Sequence, residues 1–207
     1  MRLFPPKHNP NGRIVFWPRE NIVYVRVPKS GNTSFCNALE GGRMEKVDLS
    51  RLRTIYPDCR VFSFVRNPWA RLVSAYKEKI NEQYTDGKIV GRLSKINRRF
   101  RLDMPFEEFA ELICTLPDKR TEKHFRSQSY FLKQGGRLIP DFVGHLEQIN
   151  QDWPALEEKM GTRLQLRHLT KTVSSDYSSY YSNAGIRDQV GDRYAEDIST
   201  FGYEFGE

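Results

Sequence analysis

The sequence contains few of the residues from which disulfide frameworks and metal centres are built. Its 207 residues include only three cysteines and four histidines. Cys36, Cys59 and Cys114 are widely spaced, and each lies among apolar neighbours, which predicts free, buried thiols. We therefore expect neither a disulfide framework nor a bound metal, and the free thiols favour a reducing compartment.

Long apolar runs are also absent from the sequence. The segment from Met1 to Trp17 carries prolines and charges, but no stretch in it is apolar enough for a signal peptide or a membrane anchor. We expect no transmembrane segment in the rest of the sequence either. These absences favour a cytoplasmic location.

Length and composition predict one compact domain that covers residues 1–207 and has a real core. Hydrophobic residues make up 38% of the chain, which argues against a disordered protein. The 33 lysines and arginines exceed the 26 aspartates and glutamates, so the net charge is +7 at pH 7. A basic protein favours an anionic partner, but charge alone does not choose among nucleic acid, a nucleotide, a sulfated glycan and a membrane surface.

Short runs rich in β-branched and aromatic residues predict the strands. The clearest are Asn21–Val27 and Arg60–Val65, and two further candidates are Asp141–His145 and Leu164–Leu169. Strands that alternate with helices predict an α/β fold with a central, mainly parallel sheet flanked by helices. Ligands of such sheets bind at the carboxyl ends of the strands.

Helical periodicity and capping signals predict the helices between these strands. The best defined begins at Pro68, where a proline fits the first position of a helix, and its apolar residues recur at helical spacing as far as Ile80. Arg71 and Ser74 lie off that apolar face. The other predicted helices are Ser34–Leu39, Pro105–Leu116, a helix that ends at Met160, and Gly185–Thr200.

The first predicted strand runs into a polar turn, Val27–Ser34, whose composition is typical of anion binding. Gly31 lets the backbone approach an anion, Lys29 adds a positive charge, and Thr33 and Ser34 add hydroxyl donors. In the loop of nucleotide triphosphatases the lysine follows the last glycine, whereas here it precedes the glycine. The alternative is an ordinary strand-to-helix turn with a solvated lysine.

A second polar turn follows the strand Arg60–Val65. Arg66 stands at the strand end and Ser74 in the second turn of the next helix. The arginine fork suits phosphate, and a hydroxyl completes such a clamp. The alternative is structural, with Arg71 paired to a carboxylate and Ser74 a neutral helix residue. Because both turns stand at strand ends, we interpret Arg66 and Ser74 as ligands of the anionic molecule that the first turn binds.

Together the two turns resemble the sulfotransferases. The first turn is similar to their 5′-phosphosulfate loop, and R-N-P-x-x-R-x-x-S-x-Y at residues 66–76 resembles their 3′-phosphate motif, in the same order along the chain. The group that includes the chondroitin and HNK-1 carbohydrate sulfotransferases matches best. Three later segments extend the resemblance more weakly, namely His124–Gln128, Phe142–Glu147 and Tyr194–Tyr203.

This resemblance implies a P-loop-like three-layer domain that moves a sulfuryl group from 3′-phosphoadenosine 5′-phosphosulfate to a hydroxyl group of a glycan or related acceptor, without a metal. Arg66 and Ser74 then hold the 3′-phosphate. Lys29 is also catalytic, because it neutralises charge on the leaving oxygen. The residues implied to hold the 5′-phosphosulfate are Lys29, Ser30, Gly31, Asn32, Thr33 and Ser34.

The chain departs from this family group at several points. Ser127 stands where many members have proline, and His145 where many have arginine. The Golgi members carry an amino-terminal anchor and a longer stem, and neither is present in this sequence. A Golgi-lumenal domain without its anchor is therefore the alternative to a cytoplasmic protein.

Histidine is the commonest general base near neutral pH. His124 is our candidate, because it precedes Phe125–Gln128 in a histidine-aromatic context similar to one in the family. His145 and the carboxylates of the cleft are its competitors. His8 and His168 have contexts typical of a solvated and a structural histidine.

Two other function classes compete with a sulfotransferase. A P-loop kinase-like phosphotransferase needs a lysine after the glycine loop and an acidic strand end for magnesium, and the sequence shows neither. A basic nucleic-acid-binding module is suggested by the stretch Lys88–Arg101, which contains Phe100 as its only aromatic residue and no recognition motif. We therefore expect no nucleic-acid partner.

Overall fold

The computed structural model of the chain describes residues 12–36, 38–81, 87–164 and 177–206. The strand predicted at Leu164–Leu169 lies, apart from its first residue, outside the described residues. The strands are β1 (Gly12–Trp17), β2 (Ile22–Val25), β3 (Arg43–Val47), β4 (Arg60–Val65), β5 (Lys133–Gln134), β6 (Arg137–Leu138) and β7 (Phe142–His145).

The helices alternate with the strands from β2 to β4, and the later helices follow one another in two groups. The helices are α1 (Asn32–Phe35), α2 (Leu52–Ile55), α3 (Pro68–Lys79), α4 (Lys88–Leu93), α5 (Phe106–Cys114), α6 (Ser129–Leu132), α7 (Ile149–Met160), α8 (Ala184–Arg193) and α9 (Ala195–Phe201).

The main sheet is mixed and has five strands in the order β3-β1-β2-β4-β7. Strands β2, β4 and β7 run parallel, whereas β1 is antiparallel to both β2 and β3. The expected α/β class is confirmed, and the sheet expected to be mainly parallel is a mixed one in which β1 runs against the other four strands. The reason is local: Trp17 pairs with Ile22, and a connection this short can join only antiparallel strands.

The two faces of the sheet carry different side chains because successive strand residues alternate between faces. Val23 and Val25 of β2 pack on one face with α2, α6 and α9. Tyr24 of β2 and Phe62 of β4 pack on the other face with Phe35 of α1 and with α7. Helices thus cover both faces, and the sheet is the middle of three layers.

Helix α3 begins and ends close to its predicted bounds. The Asn67 side chain caps it, since Oδ1 accepts hydrogen bonds from the N–H groups of Trp69 (3.1 Å) and Ala70 (3.4 Å). Trp69, with other apolar residues of α3, packs against α5 and α8. Arg71 differs from the prediction, because it is only 1% exposed although it was expected off the buried face.

The closing helix predicted at Gly185–Thr200 is two helices, α8 and α9, separated at Tyr194. Tyr194 leaves helical geometry with φ −110° and ψ 23°, and its buried hydroxyl donates to the Phe125 carbonyl oxygen at 2.8 Å. The change of direction places Asp197 of α9 inside the protein. The helix predicted at Ser34–Leu39 is likewise shorter, a single turn over Asn32–Phe35.

The three cysteines are free, as expected. Cys59 is buried, but Cys36 and Cys114 are only partly buried, so the expectation of burial is correct for one of the three. No helix in the described part of the chain combines the length and the hydrophobicity needed to cross a bilayer.

The tight contact between β4 and β7 gives a first testable prediction. A methyl group at Gly144 would lie 2.4 Å from Cε1 of Phe64, and that ring packs against both Phe35 and Trp153. Gly144→Ala should therefore lower the free energy of unfolding in urea by about 1–3 kcal/mol.

Gly91 of α4 is the matched control, since a methyl group there meets nothing within 4 Å. Gly91→Ala should raise the free energy of unfolding by about 0.5–1 kcal/mol through helix propensity. Equal stability of the two variants would contradict the packing described here.

Candidate functional site

The first turn, Val27–Ser34, has an unusual backbone. Lys29 and Gly31 both have positive φ angles, 71° and 79°. For a lysine this conformation costs about 1–2 kcal/mol, and such outliers concentrate at functional sites. At Gly31 a side chain is excluded as well, because a methyl group would lie 2.6 Å from the Phe35 ring.

The Lys29 ammonium forms an ion pair with the carboxylate of Glu78 in α3, and the other oxygen of Glu78 pairs with Lys79. Burial alone would raise the pKa of Glu78, but the two ammonium groups lower it to about 2. Burial lowers the pKa of Lys29 from its ordinary value, with further lowering by the nearby charges of Lys79 and Arg66, against the opposing effect of Glu78. Sequence reasoning missed Glu78.

Two of the residues expected to bind phosphosulfate also fasten the turn to the protein. The Asn32 side chain accepts from the Tyr24 hydroxyl at 2.8 Å and donates to the Val27 carbonyl oxygen at 2.7 Å. The Ser30 hydroxyl is buried and donates to Oε1 of Gln128 at 3.2 Å. Their role as phosphosulfate ligands remains a prediction.

The second turn places Arg66 at the carboxyl end of β4, next to the first turn, because β2 and β4 are parallel neighbours. Arg66 is largely buried, and Glu147 and Tyr203 lie near its guanidinium. Burial lowers the pKa of Arg66 from its ordinary value, although a guanidinium stays charged at neutral pH. Ser74 lies on α3 and is partly buried.

Gln128 joins the two turns and was not identified as a functional residue from the sequence. Its Oε1 accepts from Ser30 of the first turn and from the N–H of Arg66 in the second turn at 2.9 Å. Its Nε2 donates to the Arg66 carbonyl oxygen at 2.8 Å. The Asp197 carboxylate in turn accepts from the N–H groups of Gln128 and Ser129, each at 2.7 Å.

Arg71 is a second connection between the same segments. Its Nε donates to the Pro28 carbonyl oxygen at 3.0 Å, and its Nη2 donates to that of Arg126 at 2.7 Å and to that of His124 at 3.4 Å. In the part of the chain that the structure describes, the partners of Arg71 are thus carbonyl oxygens and not the carboxylate of the alternative interpretation. One guanidinium thus joins the first turn at Pro28 to the backbone of His124 and Arg126.

The imidazole of His124 is oriented by a carboxylate. Glu122 accepts from the His124 backbone N–H at 2.8 Å, and the same oxygen lies 2.6 Å from Nδ1 of the ring. Burial by itself would raise the pKa of Glu122, but its bonds to His124 hold the pKa below its usual range. An ionised Glu122 assigns the Nδ1 proton and leaves Nε2 as the ring's acceptor.

His145, the competing histidine, has both ring nitrogens engaged. Nδ1 lies 3.3 Å from the Asp152 carboxylate, and Nε2 lies 3.0 Å from the Phe201 carbonyl oxygen. These contacts fit a structural histidine better than a base. His8 and His168 lie outside the described residues.

Acidic side chains of α5 pair with two arginines of the basic stretch Lys88–Arg101. Arg101 pairs with Glu108 at 2.7 Å, and Arg99 lies 3.6 Å from Glu108 and 3.9 Å from Glu111. Such pairing is typical of a solvated face and does not favour nucleic-acid binding. Within the described ranges no group of three or more histidine, cysteine, aspartate or glutamate side chains is placed to hold a metal ion.

Comparison with known proteins gave consistent matches. A model of the Sulfotransferase family matches residues 12–204. Carbohydrate sulfotransferase 14 of Danio rerio is 28% identical over 161 residues, covering 69% of this chain and 43% of the relative. Carbohydrate sulfotransferase 12 of Mus musculus is 30% identical over 166 residues, covering 69% of this chain and 39% of the relative.

Carbohydrate sulfotransferase 12 of Xenopus laevis is 28% identical over 166 residues, with the same coverage as the mouse protein. The chain thus spans 39–43% of the length of these curated relatives. No solved structure matches the chain significantly.

The contacts of Gln128 give a second prediction. Gln128→Leu keeps the side-chain volume but leaves the N–H and carbonyl of Arg66 and the hydroxyl of Ser30 buried without their partner. Each such group costs about 1–3 kcal/mol, so the free energy of unfolding in urea should fall by at least about 2 kcal/mol.

Gln134→Leu is the control, because Gln134 is exposed in the β5–β6 hairpin, and it should change stability by no more than about 0.5 kcal/mol. A Gln128→Leu protein as stable as the parent would show that Gln128 does not hold the turns together.

Proposed function

The chain belongs to the sulfotransferase family, and on that premise we propose that it transfers a sulfuryl group from 3′-phosphoadenosine 5′-phosphosulfate to a hydroxyl group of a carbohydrate. One observation carries the proposal: the buried amide of Gln128 joins two turns that stand side by side at the ends of parallel strands. One turn offers Lys29 and the other offers Arg66, so two anionic groups of one nucleotide can be held at once.

We infer that β2, the first turn and α1 form a P-loop-like unit around the 5′-phosphosulfate. Lys29, Gly31 and the hydroxyl groups of Thr33 and Ser34 supply the charge and close contact, with Ser30 and Asn32 fixing the backbone. Arg66 and Ser74 take the 3′-phosphate. Positive charge comes from side chains, so the proposed site needs no metal.

The proposed reaction is an in-line displacement at sulfur. The acceptor oxygen forms a bond to sulfur while its proton passes to Nε2 of His124. The bond between sulfur and the 5′-phosphate oxygen breaks, and 3′,5′-adenosine bisphosphate leaves. Lys29 neutralises the charge that grows on that oxygen, and Glu122 stabilises the imidazolium that forms on His124.

The compartment also remains a proposal. Three free cysteines favour a reducing, cytoplasmic environment.

A carbohydrate acceptor is supported by the relatives, which are named carbohydrate sulfotransferases.

Binding of 3′,5′-adenosine bisphosphate tests the assignment of the two turns. A ligand at a hundredfold excess over its Kd stabilises by about 2.7 kcal/mol, which corresponds to a Tm increase of about 5–10 °C for a chain of this size. AMP and ATP should give much smaller shifts, because neither offers a 3′-phosphate to Arg66 and Ser74.

Arg66→Ala is the matched variant and should remove most of the difference between the bisphosphate and AMP. Equal shifts from AMP and the bisphosphate in the parent would disprove the assignment.

Transfer of radiolabelled sulfate to a carbohydrate acceptor should continue in excess EDTA, because the proposed site draws its positive charge from side chains. Loss of activity that magnesium restores would indicate a kinase-like site.

His124→Ala tests the base. The variant should fold and bind the bisphosphate like the parent, because the base contacts the acceptor, and turnover should fall about a hundredfold or more. The loss should appear in kcat, with the Kd of the bisphosphate unchanged.

His145→Ala is the control for a structural histidine. It should lower Tm through the loss of its contacts to Asp152 and Phe201, whereas the turnover of the folded variant should stay close to that of the parent. Ordinary turnover in well-folded His124→Ala would move the role of base to a carboxylate or to His145.

A further inference from the structure

Glu78 stands at the proposed reaction centre although the reaction gives it no task. On α3 it follows Ser74 by one helical turn and Arg71 by two, so the three residues share one stripe of the helix. Arg71 binds the carbonyl of Pro28 and Glu78 binds the ammonium of Lys29, so the stripe contacts consecutive residues of the first turn. Ser74 lies between these two contacts.

Glu78 and the donor compete for the Lys29 ammonium. This ammonium can neutralise either the Glu78 carboxylate or the leaving oxygen of the nucleotide. The lysine side chain is only 16% exposed, whereas that of Glu78 is 45% exposed. The carboxylate is therefore the partner that can move towards solvent when the donor approaches Lys29.

Lys79 makes this exchange inexpensive. It already pairs with the second oxygen of Glu78, so the carboxylate keeps a cation when Lys29 turns to the donor. A carboxylate with a single partner would instead lose its only counter-ion, at a larger cost.

We propose that Glu78 is an internal counter-ion that holds the Lys29 ammonium until the donor binds and then releases it to the donor, while Lys79 retains the carboxylate. The proposal rests on the proposed function. Glu78 is then a positioning residue that acts through Lys29. Its ion pair with Lys29 lowers the affinity for the donor, because the two compete for the same ammonium. Removal of Lys29 should accordingly lower turnover more than donor binding, since its contribution to binding is offset by the broken ion pair.

Isothermal titration with 3′,5′-adenosine bisphosphate tests this competition. Glu78→Gln should tighten bisphosphate binding about three- to tenfold, within the range of coupling between neighbouring charges. The bisphosphate should also inhibit transfer by the variant more strongly by the same factor. In a Lys29→Ala background, Glu78→Gln should leave the Kd unchanged, because the ammonium for which Glu78 and the nucleotide compete is absent.

Glu108→Gln is the charge-matched control, since Glu108 pairs with Arg101 on the surface of α5, and its Kd should equal that of the parent. The same tightening in the Lys29→Ala background would show simple repulsion of the nucleotide and overturn the proposal. Weaker binding by Glu78→Gln would also overturn it, because Glu78 would then be needed to orient Lys29. Failure of the proposed function is distinguishable, as the parent itself would not bind the bisphosphate.

Discussion

The buried amide of Gln128 is the contact on which the candidate site depends. It accepts a hydrogen bond from the Ser30 hydroxyl of the first turn and is bonded to both the N–H and the carbonyl of Arg66 in the second turn. These bonds fix the distance between the two turns. Its own backbone is bound to a buried aspartate of α9. Because every member of this network is buried, loss of one leaves several polar groups unsatisfied, and the network is present as a whole or not at all.

Arg71 adds a second constraint of the same kind. Among the described residues its buried guanidinium donates to backbone carbonyl oxygens and has no ion-pair partner. Burial lowers its pKa from the ordinary value, opposed by the nearby carboxylates of Asp197 and Asp118 and by Tyr194. The result is a rigid joint among α3, the first turn and the segment that carries His124.

The parts of the fold that could be predicted are those whose signals are local. Strand β4 has its predicted bounds, and α3 begins at its capped proline, because hydrophobic runs and caps act over a few residues. The antiparallel β1 was missed, since its pairing with β2 and β3 depends on sheet order and not on its own composition.

The site shows the same limit. The lysine, glycine and arginine of the two turns were identified because their types and spacing are informative in themselves. Arg71 was placed on the surface because a periodicity count treats arginine as polar, whereas its partners are carbonyls about 43 to 55 positions away. Glu78 lies 49 positions from Lys29, and only the spacing of Arg71, Ser74 and Glu78 on one helix could have suggested it.

The break at Tyr194 has a consequence for the order of folding. The carboxylate that holds Gln128 comes from 69 positions further along the chain, and Ser30 lies 98 positions before Gln128. Closing contacts over such separations is slow compared with forming a helix or a hairpin. The β1–β2 hairpin and α3 are local and can therefore form while the two turns are still unconnected, and the geometry of the site is completed only after these elements.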